Sequence, residues 1–294
     1  MRVAATPCGT STPNERQPPA HGILDSPHAA KDTATIVLAQ RTLTSGPPWL
    51  DTAISWALLY RAAAGTQPET LRLFRPARVV ALGPSDRLSP GFDAARVAAR
   101  AAGFTAVDRL AGGRAALFHE QTIAFAWTVP DTEARAHIRE RYEAMSNLIA
   151  QALRRLGVDA RVGAVPGEYC PGDYSVNARG ATKLMGVGQR VFVHAAHVGG
   201  VICVDGAPLL RDVLTPVYAS LGLAWDPATS GSVADELGEA GTGRLWDTVF
   251  DAILDEVAAN YPVEDGALDS GLVGEAWGYE EMLTEQTADG PARR

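Results

Sequence analysis

The sequence predicts an α+β domain with a mixed, largely antiparallel central sheet flanked by helices. The stretch TIAFAWTVP alternates, with Ile123, Phe125 and Trp127 on one face, which is the period of a half-buried strand. Apolar residues recur every three or four positions over 131–156, which predicts a long amphipathic helix. The predicted strands and helices do not alternate regularly, and this order favours α+β over a parallel doubly wound sheet.

The remaining elements follow from local patterns. WLDTAISWALLYRAAAG predicts a helix with Asp51 as its N-cap, and residues 91–103 predict a second helix that Gly103 ends. Gly157 is the expected stop of the long helix. Further strands are expected in 71–75, 79–84, DARVGAVPG, GEYCPGDYSVNARGATKLMGVGQR and AAHVGGVICVDG, and further helices in APLLRDVLTPVYASLG and GRLWDTVFDAILDEVAANYP.

Composition divides the chain into three parts. Residues 1–35 are rich in Pro, Ser, Thr and Ala without an apolar run of signal-peptide length, so we expect a disordered extension. Residues 36–262 are expected to form the main folded domain, since a chain of 294 residues with 46% hydrophobic content can bury a full core. Residues 263–294 are expected to form a short helix around EAWGYEEML and a frayed end. We expect a monomer.

Charge and cysteine usage narrow the function classes. The formal net charge of -8 argues against general nucleic-acid binding, which needs a basic face. No apolar run reaches the roughly 18 residues of a membrane span. The three cysteines, at positions 8, 170 and 203, suit a reducing cytoplasm, and no Cys or His spacing predicts a metal site.

The stretch RLAGGRAALFHE contains the first group of candidate residues. Gly112 and Gly113 predict either a tight turn or a place where a ligand lies against backbone N–H groups. Arg109 and Arg114 flank them and could pair with a carboxylate or phosphate. His119 is interpreted either as a hydrogen-bonded structural residue or as a general base, the structural reading being favoured for a lone histidine.

A second group lies in GEYCPGDYSVNARGATKLMGVGQR and the strand after it. Cys170, beside a Pro-Gly turn, is either a nucleophile stabilised by a nearby ammonium or a small structural residue, and the residues alone favour the second interpretation. Lys183, near Gly186, is unusual for a packed strand unless its amine is used. His197 stands beside Val-Gly-Gly, where glycines again clear space, whereas Cys203 is expected to be buried and inert.

Together these pieces resemble the lipoate attachment branch of the biotin/lipoate protein ligase superfamily, which includes lipoate-protein ligases and octanoyltransferases. The resemblance covers roughly residues 36–260. Three blocks carry it in the family's order: RLAGGRAALFHE, TKLMGVGQR and HVGGVICVD. No block is diagnostic alone, but their order and spacing together are fairly specific.

The resemblance implies a class II synthetase-like or biotin-lipoate ligase-like catalytic domain. It also implies acylation of a lysine on lipoyl domains of 2-oxoacid dehydrogenases or on the glycine cleavage H protein. The acyl chain would lie in an apolar tunnel beside the glycine block, and Lys183 would hold the acyl carbonyl or the phosphate of an acyl-adenylate. The substrate-binding residues would be Arg109, Gly112, Gly113, Arg114, His119, Gly186 and His197.

Two mechanisms occur on such a scaffold. In the octanoyltransferase type Cys170 would accept an octanoyl or lipoyl group from an acyl carrier protein as a thioester, without a cofactor. In the ligase type ATP and Mg²⁺ would activate free lipoate or octanoate. Transfer is favoured by the position of Cys170, by Gly-Gly-Arg at 112–114 and by the short segment after Tyr261, while Asp108 and Glu120 depart from the resembled pattern on the phosphate side. A third hypothesis is a non-catalytic relative that binds an acyl group or a lipoyl domain.

Overall fold

The computed structural model describes residues 34–238 and 243–284. The strands in these ranges are β1 Thr35–Gln40, β2 Thr70–Phe74, β3 Val79–Leu82, β4 Thr105–Asp108, β5 Ala116–Phe118, β6 Thr122–Pro130, β7 Ala160–Val162, β8 Val176–Ala178, β9 Thr182–Val191, β10 Ala195–Cys203 and β11 Val263–Asp265. The helices are α1 Leu50–Ala63, α2 Phe92–Ala101, α3 Ile138–Arg155, α4 Ala207–Leu221, α5 Val233–Leu237, α6 Leu245–Asn260, α7 Ser270–Trp277 and α8 Glu280–Thr284.

Eight of these strands form one sheet, in the order β11-β1-β2-β6-β10-β9-β8-β7. Strand β1 runs parallel to β2 and to β11, and the other neighbouring pairs are antiparallel. A second sheet, β4-β3-β5, combines one parallel and one antiparallel pairing. The predicted α+β class with a mixed, largely antiparallel sheet is confirmed.

Helices cover both faces of the large sheet. The predicted inward face of β6, with Ile123, Phe125 and Trp127, packs against α3 and α6 in the main core. Helix α1 packs on the opposite face, where Arg72 of β2 is fully buried and pairs with Asp51 of α1. Helices α2 and α4 pack together against the second sheet. The candidate site lies where the two sheets meet.

Asp51 has a different role from the predicted one. The N-cap of α1 is Trp49, and Asp51 belongs to the first helical turn. Its buried carboxylate accepts hydrogen bonds from Arg72 and from the hydroxyl of Thr44, so an ion pair between helix and sheet uses the group that we expected to cap the helix.

The long helix α3 begins later than its apolar period predicted. Residues 131–137 form turns, and regular helix starts at Ile138. The cause is the buried carboxylate of Asp131, which accepts hydrogen bonds from the N–H of Glu133 and from the guanidinium of Arg141. Gly157 follows the helix with a φ of +95°, as a helix stop requires.

The first and the last described strands, β1 and β11, pair at one edge of the large sheet. Strand β1, absent from the predicted elements, begins at Thr35, the last residue of the predicted extension, and Val263 of β11 pairs with it. The single helix expected around EAWGYEEML is instead two short helices, α7 and α8. Residues 1–33 of the predicted extension and 285–294 of the predicted frayed end lie outside the described residues. Within residues 34–238 and 243–284, none of the helices combines the length and apolarity that crossing a membrane requires.

Candidate active site

The glycine block lies directly against Cys170. Gly113 has a φ of +108°, and a Cβ added there would lie 2.8 Å from the Cys170 Sγ and 3.0 Å from the Arg109 Nη1. The next residue, Arg114, donates its backbone N–H to the Cys170 Sγ over 3.1 Å. Only a residue without a side chain allows the sulfur to come this close to the backbone.

The guanidinium of Arg109 is the second polar group at the thiol. Its Nη1 lies 3.7 Å from the Cys170 Sγ and donates to the carbonyl of Arg114 over 2.8 Å. The side chain of Arg114 points elsewhere and pairs with the buried Asp86 at 3.3 Å. A backbone N–H and a guanidinium therefore both face the Cys170 sulfur.

The backbone of Cys170 is held in an uncommon conformation. Its φ is +42°, in the left-handed region that residues with a side chain rarely adopt. Its N–H donates to the hydroxyl of Tyr218 over 2.9 Å, and that hydroxyl donates to the carbonyl of Ala115 over 2.9 Å. Tyr218 thus ties the cysteine loop to the strand that follows the glycine block, while the thiol stays partly open to solvent.

Lys183 approaches the same loop from β9. Its ammonium donates to the carbonyl oxygens of Cys170 and Tyr169 over 2.8 and 3.0 Å, and to the Glu168 carboxylate over 3.3 Å. The side chain is only 1% exposed. Burial lowers the pKa of Lys183, and the nearby Cys170 and Glu168 act in the opposite direction. These contacts explain why a packed strand contains a lysine, while its predicted role toward the acyl group stays a prediction.

Further glycines let β9 pack against the glycine block. The N–H of Gly112 donates to the carbonyl of Gln189 over 3.2 Å. A Cβ at Gly188 would lie 2.8 Å from the carbonyl oxygen of Gly112, and one at Gly186 would lie 3.3 Å from the Lys183 Cε. The first two sequence blocks therefore meet through backbone contacts that side chains would prevent.

A cavity begins beside this point and lies between α1 and the two sheets. Arg109 both lines this cavity and contacts the Cys170 Sγ. The lining is mostly apolar with a few polar groups, and it includes Asp51, Ser55, Phe74, Val79, Ala81, Arg109, Ala111, Phe118, Ala126, His197 and Gly199. This lining suits an aliphatic chain whose polar end lies near Arg109.

His197 forms part of the cavity wall. Its ring lies over Gly199, where a Cβ would be 2.4 Å from the imidazole Nε2. Burial lowers the pKa of His197 to about 3, with a smaller contribution from Arg109, so the ring is neutral near pH 7. Its Nδ1 has no hydrogen-bond partner among the residues that the structure describes.

The structure does not bring His119 to this site. Its Nδ1 accepts a hydrogen bond from the N–H of Gln121 in the turn between β5 and β6, and it does not line the cavity. Burial lowers its pKa to about 4. Cys203 is buried as expected, and burial raises its pKa to about 12, so the more accessible of the two described cysteines is Cys170.

Two residues at the site were not predicted, Glu168 and Tyr218. Neither belongs to a recognisable motif, because each acts through a loop that only the folded chain brings together. The unusual lysine in a strand was the available signal for Glu168, since a buried ammonium needs an acceptor, but nothing indicated which one. In residues 34–238 and 243–284, no group of three His, Cys, Asp or Glu side chains is placed to hold a metal ion.

Comparisons with known proteins agree with this fold. Solved structures with the same fold include lipoate-protein ligase A bound with ATP, with a TM-score of 0.64 and 18% identity over 84% of this chain and 94% of that one. A bi-partite lipoate protein ligase of Thermoplasma acidophilum, solved in a study with its E2 lipoyl domain, gives a TM-score of 0.63 and 17% identity over 83% and 92% of the two chains. At these identities the likeness is one of fold.

The match to a family profile defines a member of the biotin/lipoate protein ligase superfamily, in its lipoate attachment branch, as the resemblance implied. The profile described as the lipoyl protein ligase A/B catalytic domain matches residues 47–220. The chain therefore belongs to the lipoyl protein ligase A/B catalytic domain family.

Curated relatives are named as acyltransferases. An octanoyl-[GcvH]:protein N-octanoyltransferase of Geobacillus kaustophilus is 31% identical over 170 residues, which are 58% of this chain and 60% of that protein. A lipoyl-[GcvH]:protein N-lipoyltransferase of Listeria monocytogenes is 27% identical over 153 residues, 50% and 55% of the two chains. The matched region thus spans less than two thirds of either relative.

Proposed function

We propose that this chain transfers an octanoyl or lipoyl group to a lysine of a lipoyl carrier domain through a thioester on Cys170. The observation that carries the proposal is the position of the Cys170 sulfur. It lies 3.1 Å from the Arg114 N–H and 3.7 Å from the guanidinium of Arg109, a residue that also lines the mostly apolar cavity. The names of the relatives support the same reaction class.

In the first step the Cys170 thiolate attacks the acyl carbonyl carbon of the donor. The new bond joins Sγ to that carbon as the bond to the donor's sulfur or nitrogen breaks, and the proton lost by the thiol ends on the leaving atom. The hydrocarbon chain lies in the cavity between α1 and the sheets. His197 is buried and neutral, so it lines this cavity without placing a charge in it.

The oxyanion formed in this step needs donors close to the sulfur. The backbone N–H of Arg114 and the Nη1 of Arg109 are the groups in place, and both are released from the sulfur as it becomes acylated. The N–H of Cys170 itself is committed to Tyr218. Losing one such donor costs on the order of 3 kcal/mol in the barrier.

In the second step the neutral amine of the acceptor lysine attacks the thioester. A bond forms between its nitrogen and the acyl carbon, the bond from that carbon to Sγ breaks, and one amine proton returns to the Cys170 sulfur. The partly open side of Cys170 is where the acceptor lysine enters. No cofactor takes part in this scheme.

The carrier proteins are proposed from the relatives. Their names place the acyl group on GcvH before transfer, so we propose acylated glycine cleavage H protein as donor and lipoyl domains of 2-oxoacid dehydrogenases as acceptors. An acyl carrier protein is the second donor to test. The reaction would take place in the cytoplasm, where these carriers and a reduced thiol coexist.

The test is transfer to a purified lipoyl domain, followed by mass spectrometry, with three donors: octanoyl-GcvH, octanoyl acyl carrier protein, and free octanoate with ATP and Mg²⁺. The proposal predicts acylation from at least one preformed donor without ATP, and complete loss in Cys170→Ala. Acylation that requires ATP and persists in Cys170→Ala would show that the chain is a ligase and that the proposed thioester transfer is wrong. Tight binding without acylation from any donor would indicate a non-catalytic relative.

A further inference from the structure

Glu168 lies at the centre of the loop that presents Cys170, two positions before it. Its side chain is fully buried, and four donors converge on its carboxylate. The N–H groups of Val165 and Gly172 lie at 3.2 and 3.0 Å, the hydroxyl of Ser175 at 2.8 Å and the ammonium of Lys183 at 3.3 Å. All four partners are donors, and a carboxylate, which only accepts, matches them all.

Lys183 transmits this arrangement to the nucleophile. Its ammonium donates hydrogen bonds to the Glu168 carboxylate and to the carbonyl oxygens of Tyr169 and Cys170. An ammonium has three donors, so these three acceptors account for all of them. The carbonyl of Cys170 is thereby held from one side while its N–H is held by Tyr218 from the other.

These restraints bear on the conformation of Cys170. A φ of +42° is unfavourable for a residue with a Cβ, so it persists only where surrounding contacts determine it. If the carbonyl of Cys170 were released, the loop could relax and the sulfur would leave the Arg114 N–H. The reactivity of the thiol thus depends on a buried pair that does not touch the sulfur.

We infer that Glu168 is a positioning residue for Cys170, and that it acts by holding the Lys183 ammonium against the two carbonyl oxygens of the cysteine loop. The inference rests on the proposed function, because it assigns Glu168 a role in presenting the proposed nucleophile. It gives Lys183 a structural role in the cysteine loop. Glu168 and Lys183 then form one unit, and each loses its effect without the other.

The charges around Lys183 indicate how the unit depends on pH. The groups that face its amine are Glu168, Cys170, the ring of Tyr169, 4.7 Å from Nζ, and the more distant Arg109. Burial already lowers the pKa of Lys183, and Glu168 opposes that shift. Removing the carboxylate charge therefore lowers the pKa further, so that the amine loses its proton, and one donor, at a lower pH than in the native chain.

The experiment is the rate of Cys170 alkylation by iodoacetamide from about pH 6 to about pH 9.5, measured by peptide mass spectrometry without any acyl donor. In the native chain the rate should rise with pH to a plateau. In Glu168→Gln it should pass through a maximum and then fall about tenfold as Lys183 loses its proton. In the double variant Glu168→Gln/Lys183→Met the alkylation rate should be low at every pH and should not fall at high pH, because the amine that loses its proton is absent.

Asp159→Asn, which removes an exposed ion pair with Arg161, is the matched control and should keep the native profile. A Glu168→Gln profile that rises to the native plateau overturns the inference. If Glu168→Gln does not fold, Glu168→Asp decides the matter. It keeps the charge, so its profile should rise without a maximum, but the shorter side chain should lower the plateau about tenfold. An unchanged plateau in that variant overturns the inference too.

Because alkylation needs no acyl donor, its outcome is separate from that of the transfer assay. Suppose that the pH profile of alkylation changes in Glu168→Gln as described, but that no donor acylates Cys170 in the native chain. The proposed function would then be wrong, and the positioning role of Glu168 would stand. The converse result, acylation of Cys170 with an unaltered Glu168→Gln profile, would defeat the inference alone. With transfer established, Glu168→Gln should lower kcat and leave KM within about twofold of the native value.

Discussion

Gly113→Ala tests the close approach on which the proposed site depends. The new Cβ would lie 2.8 Å from the Cys170 Sγ, whereas an ordinary contact needs about 3.5 Å, so the sulfur has to move by at least about 0.7 Å. The sulfur can move by rotating about its own side-chain bond, and the packing cost is therefore small. That rotation takes it away from the Arg114 N–H at 3.1 Å.

A displacement approaching 1 Å at a reacting atom lowers turnover by on the order of ten- to a hundredfold. We expect that loss in kcat for Gly113→Ala, with a stability loss of about 1–2 kcal/mol from the φ of +108°. Gly103→Ala is the matched control, because Gly103 has a φ of +83° and nothing within 4 Å of an added Cβ. It should lose similar stability and keep its activity.

The assay is octanoyl transfer to a lipoyl domain at saturating donor, with thermal unfolding of each variant measured in parallel. Equal kcat values for Gly113→Ala and Gly103→Ala would refute the reasoning, because they would show that the sulfur does not depend on its contact with the glycine block.

Three further predictions concern the cavity, the buried ion pair and the buried histidines. Ala126→Leu narrows the cavity, so transfer of octanoyl should fall about tenfold more than transfer of butanoyl in competition assays, and equal losses would argue against an acyl chain in that cavity. Asp51→Ala leaves Arg72 buried without its partner and should cost about 3–5 kcal/mol in the free energy of unfolding by denaturant titration; a loss below about 1 kcal/mol would contradict this account. The pKa of His119 is about 4 in the folded chain and about 6.5 in the unfolded chain. Its contribution to the free energy of unfolding is therefore fully present above about pH 6.5. That free energy declines as the pH falls toward 4, by up to about 1.4 kcal/mol per pH unit. His119→Asn should reduce this slope between about pH 6.5 and about pH 4.5, and an unchanged slope would assign it to His197 or to other groups.

Sequence patterns predicted most of the fold because the relevant signals are local. The alternation around Phe125 predicted a strand and the apolar period predicted the helix α3, and both elements are confirmed. The expected half-burial of β6 was wrong, because helices pack on both faces of the sheet and every residue of the strand except Pro130 is buried. The start of α3 was wrong because the carboxylate of Asp131 pairs with Arg141, a contact that the apolar period does not encode. Strand β1 was missed because its parallel neighbours, β2 and β11, come from distant parts of the chain.

In the candidate site too, local sequence signals were predictive and contacts across the fold were not. Gly113 was singled out for the space that a missing side chain leaves, and the structure places the Cys170 sulfur in that space. Lys183 was singled out as unusual, and its burial against the cysteine loop gives the reason. Glu168 and Tyr218 could not be predicted, because their importance comes from hydrogen bonds across the fold and not from spacing along the chain.

The most direct test of the central claim is the mass of the enzyme itself during turnover. The native chain is mixed with octanoyl-GcvH or octanoyl acyl carrier protein without a lipoyl domain, quenched in acid, and its peptides are sequenced by mass spectrometry. The account predicts one octanoyl group on Cys170 that hydroxylamine removes, that disappears when a lipoyl domain is added, and that Cys170→Ala never acquires. Transfer to the lipoyl domain at an unchanged rate by Cys170→Ala would contradict it.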